Sequence, residues 1–486
     1  MRLQKTFCFL LALAAFTFMN AVQGSAQTTS PAFLSAQPPQ VITDEYIAAH
    51  FYERPPAVTF NVKDYGLDGR KLYVSALRGS DSNPGTGKAP FFTIQKAVDV
   101  SAPGDIIYVM KGTYTGNKND NVVTFYNKHG TKKHWIMLRN YPGHNPLLQI
   151  RGWSGISIQG SSYIIVSGFI VRGQADTVSY KYAYKNRKNG SNPVTCASGI
   201  VVMFLYDNYT VRSHNITVAD NIVYNCPAMG INSLLADYLG FFNNISCYNG
   251  KWAPYGSSGI SVYQNQAVDS SRDIKVIISG NISYCNENRI PFIHVGKITD
   301  GNGIIVDDIK HTQSWEPYTT KDRYFGKTLV QNNICFYNGG QGINVFESEF
   351  VTVRNNTCFH NARTGQIKGG EIWIGNSSKI TVTANIAVST NKNGDKAFMS
   401  FGSRAVNMAD NLFYGRVDSP GPGKRALLNK NPQFINTSAD PVIADFRLQK
   451  GSPAIDYAAG GAQTDIQGTP RPQGKNVEPG AYEFVP

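Results

Sequence analysis

Apolar and polar residues alternate in short runs along most of the chain, and the runs recur. "NITVADNIVYN" (215–225), "LGFFNNISCYN" (239–249), "KVIISGNISYCN" (275–286), "KTLVQNNICFYN" (327–338), "FVTVRNNTCFHN" (350–361), "KITVTANIAVS" (379–389) and "AVNMADNLFYG" (405–415) share one plan. Each holds an alternating strand, a polar break, an Asn and a second short strand. The Asn positions are Asn221, Asn244, Asn281, Asn333, Asn356, Asn385 and Asn411. Alternation with period two marks strands that bury one face. A second motif falls between these units: "SGISIQG", "SGIVVMF", "MGINSLL", "SGISVYQ", "NGIIVDD" and "QGINVFE", beginning at Ser154, Ser198, Met229, Ser258, Asn302 and Gln341. "GGEIWIG" (369–375) continues it with a variation.

From Gly199 onward the second motif is spaced by 31, 29, 44, 39 and about 29 residues. The shorter intervals fit one coil of two or three short strands, and the longer ones fit the same coil with an inserted loop. Short strands at a near-constant period, without intervening helices, predict a β-solenoid. An Asn at one phase predicts a side-chain ladder in a tight bend, because Asn tolerates left-handed backbone and its amide bonds to stacked neighbours. Cys335 and Cys358 each follow a repeated Asn by two residues and are expected to stack inside the core.

The segment "LYVSALRGSDSNPGTGKAPFFTIQKAVDVSAPGDIIYVMKGTY" (72–114) resembles the N-terminal signature of the pectate-lyase-like right-handed parallel β-helix superfamily. "DFRLQKGSPAIDYA" and "TPRPQGKNVEPGAYEF" resemble its closing segment. The resemblance implies an all-β fold, a right-handed parallel β-helix with a short N-terminal capping helix and inserted loops. In "FTIQKAVDVSA", Ile94, Ala97 and Val98 sit at helical spacing and would cover the open coil end. The expected organisation is a leader (1–26), an N-terminal extension (27–70), the β-helix (71–450) and a C-terminal capping segment (451–486). The superfamily contains lyases, hydrolases, epimerases and adhesins, so it implies the fold more strongly than the reaction.

The candidate chemistry lies in "DGNGIIVDD" (300–308). Alternation turns Ile304 and Val306 inward and Ile305 and Asp307 outward. Stacking on the shared Gly places Asp307 between Tyr263 and Phe346, and Asp308 between Gln264 and Glu347. Asp308 and Glu347 would then be about 5 Å apart. Adjacent carboxylates repel, and three devices relieve them: a hard cation such as Ca²⁺, a retained proton, or a salt bridge to Lys310, Arg323 or Lys327. Asp300, Asp307 and Asp308 are the expected metal ligands. Asp307, Asp308, Lys310 and Glu347 are the expected catalytic residues. The inserted loops add aromatic and cationic side chains, from which Trp252, Tyr263, Arg289, His294, Trp315 and Arg323 are the expected substrate-binding set. Aromatic faces stack on sugar rings, and cations pair with carboxylates or sulfates.

Charge and processing signals narrow the partners. The chain carries 46 Lys+Arg against 33 Asp+Glu, a net charge of +13. Arg2 and Lys5 precede the apolar run Phe7 to Phe18, then "GSA" (24–26), in the order of a secretory signal peptide. Cleavage is expected after Ala26, giving a secreted or periplasmic protein with no membrane segment after leader removal. A basic exported protein suits an acidic polysaccharide partner. No recognition helix or RNA-binding motif points to nucleic acid, and a monomer is expected. Cys196, Cys226, Cys247, Cys285, Cys335 and Cys358 show no CxxC spacing and are expected as buried thiols.

Three activities are compatible with these residues. The leading expectation is a polysaccharide lyase that cleaves a uronate-containing glycan by β-elimination. Asp300, Asp307, Asp308 and Glu347 would hold a cation, and Lys310, His294, Arg289 or Arg323 would act as base or clamp. Polysaccharide lyase family nine is similar, but its DDGxD calcium cluster is matched here by "GNGII". Asn344 stands at the outward position of the next coil, where the family's lysine would be sought. The second is a β-helical glycoside hydrolase using Asp307, Asp308, Glu347 and Glu371. The third is a non-catalytic glycan-binding surface protein.

Overall fold

The computed structural model describes residues 58, 60–313, 322–389, 396–418, 420–438, 440 and 443–486. The expected leader and Trp315 lie outside the described residues. Three long parallel sheets of 11, 10 and 11 strands run the length of the molecule. Within each sheet, hydrogen-bonded neighbours come from successive coils, so the chain climbs one rung per turn as a right-handed parallel β-helix. The ten-stranded sheet contains β1 (Ser198–Met203), β2 (Ile231–Leu234), β3 (Ile260–Tyr263), β4 (Ile304–Asp307), β5 (Ile343–Phe346), β6 (Gly370–Gly375) and β7 (Lys396–Phe401). Among the described residues no helix is long and apolar enough to cross a membrane.

The repeat phase sets the core. Ile200, Ile231, Ile260, Ile304, Ile343 and Ile372 lie in register on adjacent rungs and are fully buried. Each such side chain contributes roughly 1.5–3 kcal/mol by leaving water. The repeated Gly before each of these Ile residues, Ile372 with Glu371 before it excepted, is required by space. A Cβ on Gly259 would lie 2.2 Å from Ser283 Oγ and 2.5 Å from Asn286 Nδ2. Cys335 and Cys358 are lateral partners, and all six described cysteines are buried free thiols.

The seven repeated Asn residues form one continuous ladder. Asn333 N and Nδ2 donate to Asn356 Oδ1, and Asn333 Oδ1 accepts from Asn281 N and Nδ2. Asn333 Nδ2 also reaches the Ile278 carbonyl. The left-handed backbone sits one residue earlier than expected. Asp220, Asn243, Asn332, Asn355, Ala384 and Asp410 have φ between 51° and 59°, while the ladder Asn residues do not. This division lets the residue at the bend take the turn while the next amide points into the stack. A second ladder runs through Asn249, Asn286, Asn338 and Asn361. It ends on Glu371, which accepts from Asn361 N and Nδ2. Glu371 is therefore a ladder terminus inside the coil, not an acid or base facing substrate.

The two ends of the chain are used differently. The helix Ile94–Val100 is N-capped by Thr93 and buries Ile94, Ala97 and Val98. In the N-terminal extension, Phe60, Tyr65 and Leu67 pack over Ile106, Met137 and Ile165. The C-terminal segment lies along the flank of the third sheet. Ala454, Ile466 and Ala481 join Phe336 and Phe359 in one apolar cluster. Asn355 Nδ2 donates to the Glu478 carbonyl, and Gly480 N to that of Ala384. The outward aromatics of that sheet demand a cover, and this segment supplies it.

Candidate functional site

Outward positions of the ten-stranded sheet form two columns. One runs Met203, Leu234, Tyr263, Asp307, Phe346, Gly375 and Phe401. The other runs Val201, Asn232, Ser261, Ile305, Asn344, Trp373 and Met399. Asp307 thus lies between Tyr263 and Phe346, as the Gly register required. One residue later, Gln264, Asp308, Glu347 and Asn376 occupy the bend with φ of 48°, 48°, 46° and 47°. Four side chains therefore turn off the sheet edge in a row.

The chain after Asp308 folds back onto that row. Thr312 N and Oγ1 approach Asp308 Oδ1 at 2.7 and 2.9 Å. Gln264 Nε2 and Gln313 N donate to Asp308 Oδ2 at 2.7 and 3.1 Å. Thr312 Oγ1 and Gln313 Nε2 also lie 3.0 and 2.8 Å from Glu347 Oε2. Tyr263 donates its hydroxyl to Gln313 Oε1. Neutral donors, not a Lys or Arg, therefore relieve Asp308.

Asp307 is treated differently. Its Oδ1 is buried and has no hydrogen-bond partner. Asn344 Oδ1 and Trp373 Nε1, one and two rungs on, are likewise buried without partners. A buried polar atom without a partner costs roughly 1–3 kcal/mol, so neighbouring examples mark a place built for another hydrogen-bonding group. Burial holds the Asp307 carboxyl well above the ordinary carboxylate range, and Asp308, Asp300 and Glu347 push it further the same way. Burial raises Asp308 to about 6, against the hydrogen bonds from Gln264, Thr312 and Gln313. A hydrogen bond from the Gln313 side chain acts on Asp307 in the opposite direction, against the burial and the three neighbouring carboxyls.

The cluster has an aromatic shelf on one side. Phe346 and Trp373 stack with centroids 5.5 Å apart and planes inclined by 19°. Gly375 lies against both rings, and a Cβ there would be 2.7 Å from Phe346 Cδ2. Trp373, Thr312 and Gln313 were not identified from sequence, and Asn344 was placed at an outward position without a role. Aligning "QGINVFE" and "GGEIWIG" on "NGIIVDD" does put Asn344 and Trp373 in the column of Ile305.

Several expected site residues are occupied elsewhere. Trp252 is buried and donates its indole N–H to the Ala175 carbonyl, so it is a packing residue rather than a sugar platform. Tyr263 is 6% exposed, sealed by apolar neighbours including Phe292. Arg289 pairs with Glu287 at 2.8 Å. His294 stands on the exposed side of the same loop, edge-on to Phe292. Arg323 pairs with Glu349, which also accepts from Ser378. Lys310 Nζ donates to the Asn376 carbonyl. The Asp300 oxygens accept from Thr299 and Asn302.

The expected Ca²⁺ ligands Asp300, Asp307 and Asp308 lie near one another, since Asp300 and Asp308 both act on the Asp307 carboxyl. Such a cation takes six to eight oxygens. Both oxygens of Asp300 and of Asp308 are already engaged by protein donors, leaving the Asp307 Oδ1 without one. Among the described residues no three His, Cys, Asp or Glu side chains are grouped to hold a metal ion.

Residues 72–231 match the family described as "Pel9A-like, right handed beta helix region". The match stops short of the Asp307 cluster. Solved structures with related folds include pectate lyase Pel9A, at 16% identity over 87% of this chain and 99% of that chain, with a TM-score of 0.48. A lacto-N-biosidase of family GH136 from Eubacterium ramulus shares 18% identity over 71% of this chain and 56% of that chain, with a TM-score of 0.42. An alginate lyase from Paenibacillus sp. str. FPU-7 shares 14% identity over 74% and 99%, with a TM-score of 0.40. No curated protein matches the chain. The pectate-lyase-like resemblance holds for the right-handed β-helix itself.

Proposed function

We propose that the protein is a carbohydrate-active enzyme that hydrolyses a glycosidic bond at the Asp307 cluster. The carrying observation is the buried Asp307 Oδ1, without a hydrogen-bond partner, on an outward strand beside an aromatic shelf. Asp307 donates its proton to the glycosidic oxygen as the bond from the anomeric carbon breaks. Glu347, held by Thr312 and Gln313 and partly open to solvent, takes the proton of the attacking water or attacks the anomeric carbon itself. Asp308, with both oxygens engaged, keeps the bend in shape and adds to the field that keeps Asp307 protonated.

A polysaccharide lyase is the second reading, favoured by the Pel9A-like match over residues 72–231. β-Elimination requires the uronate carboxylate to be neutralised and a base to take the α-proton. The cluster supplies four carboxyl groups and, among the electrostatic neighbours that shift Asp307, no Lys or Arg. This is why hydrolysis is preferred.

Polygalacturonan, alginate and xylan, incubated with purified protein, separate the readings. New reducing ends without absorbance near 235 nm support hydrolysis. Rising absorbance near 235 nm supports the lyase and overturns the hydrolytic assignment. Binding without cleavage of any polymer leaves a glycan-binding protein.

A further inference from the structure

The outward columns are closed on one side of Asp307 and open on the other. Met203, Leu234 and Tyr263 are 1%, 4% and 6% exposed, whereas Asp307 and Phe346 are partly exposed and Phe401 is 48% exposed. The parallel column repeats this. Val201, Asn232, Ser261, Ile305 and Asn344 are buried, and the column opens one rung further on, at Trp373 and Met399, which are partly exposed.

Inserted loops make the closed side, and they interlock. Tyr255 donates its hydroxyl to the Cys196 carbonyl, and Ile293 N bonds to Pro254 O. Arg289 N bonds to Lys251 O, and Trp252 Nε1 to Ala175 O. Tyr255 and Phe292 share an apolar cluster with Met203, Leu234 and Tyr263. This is a packed wall built onto the sheet, one rung from the reacting carboxyl.

We infer that the protein acts on the end of a glycan chain. The terminal sugar abuts the wall at Tyr263 and Phe292, within reach of Asp307 and Asn344. The rest of the chain leaves along the helix axis over Phe346, Trp373 and Phe401. Rungs repeat at about 4.8 Å, close to the length of one sugar in an extended glycan, so the one rung between wall and Asp307 admits about one sugar. An interior segment of a long polymer cannot pass through the wall to be cut. The inference rests on the proposed glycan cleavage and adds its mode.

The test follows product size and solution viscosity together on polygalacturonan, alginate and xylan. End action gives single-sugar products from the first time point while viscosity falls slowly. Early products of mixed length with a rapid viscosity drop overturn the inference and leave glycan cleavage standing. No product from any polymer overturns both. Phe292→Ala, checked for an unchanged thermal midpoint, opens the wall. Products of two or more sugars from this variant tie the end action to the wall. An unchanged product pattern removes the wall as its cause and overturns the inference. If Phe292→Ala does not fold, Phe292→Leu is read in the same way.

Discussion

Asp308 and Glu347 share one hydroxyl: Thr312 Oγ1 lies 2.9 Å from Asp308 Oδ1 and 3.0 Å from Glu347 Oε2. A threonine hydroxyl has one proton to give. The hydroxyl donates to one carboxyl at a time, while Thr312 N holds Asp308 Oδ1 and Gln313 Nε2 holds Glu347 Oε2. The crowding is a property of the bend, where consecutive coils must place their side chains side by side.

Burial of the Asp308 carboxyl gives stability a pH dependence. The Asp308 carboxyl is raised from 3.8 to about 6 on folding. Its folded form binds the proton more tightly, so its contribution is fully present below about pH 4 and is lost as pH rises through about 6. The loss is about 3 kcal/mol. Urea unfolding at pH 4 and pH 7 measures it. Asp308→Asn should flatten the change across this window, whatever its absolute stability. An equal pH dependence in the variant would contradict the assignment.

The Asn ladder predicts a large cost for one amide. Asn333→Ala removes the acceptor for Asn281 N and Nδ2 and the donors to Asn356 Oδ1 and Ile278 O. All are inside the coil. With roughly 1–3 kcal/mol for a buried group left unpaired, the expected destabilisation is about 3 kcal/mol. A denaturant midpoint close to wild type would mean that water replaces the amide.

Gly375 predicts a packing cost linked to function. A methyl group there meets Phe346 Cδ2 at 2.7 Å and Trp373 Cζ2 at 3.0 Å. Gly375→Ala should cost about 1–3 kcal/mol, shift the Trp373 fluorescence and slow glycan cleavage. Destabilisation without loss of turnover on a native-like fold would detach the shelf from the site.

The loop that follows the site is moored by a buried ion pair. Lys275 Nζ lies 2.9 Å from Asp237 Oδ2, both side chains are fully buried, and Tyr324 donates its hydroxyl to Asp237 Oδ1. Lys275→Met leaves Asp237 without its cation and should cost about 3–5 kcal/mol. Differential scanning calorimetry checks this. Replacing Asp237 and Lys275 together should recover much of the loss.

Much of this was legible in the sequence because a solenoid converts spacing into neighbourhood. Counting from the repeated Gly placed Tyr263, Asp307 and Phe346 side by side, and the Asn phase gave a ladder. What the loops do was not legible. Composition offers Trp252 and Tyr263 as sugar-stacking residues, but their burial depends on which loop folds over which rung. Trp252 reaches Ala175 across 77 residues of chain, and no local pattern encodes that contact. Glu371 was misplaced for a related reason. It stands where the other coils have Gly, and only the second Asn ladder explains why its carboxyl turns inward. Asp307 itself stood out from its spacing, whereas its missing partner could only be seen with the coils stacked.

The most direct measurement is the release of reducing ends by Asp307→Asn beside wild type, on whichever of polygalacturonan, alginate and xylan the wild type cleaves. Loss of proton donation should slow turnover by about 10²–10⁴-fold, with the thermal midpoint kept or raised because a buried carboxyl is gone. Turnover within a few fold of wild type would show that Asp307 is not the acid, and the account of the site would fall with it.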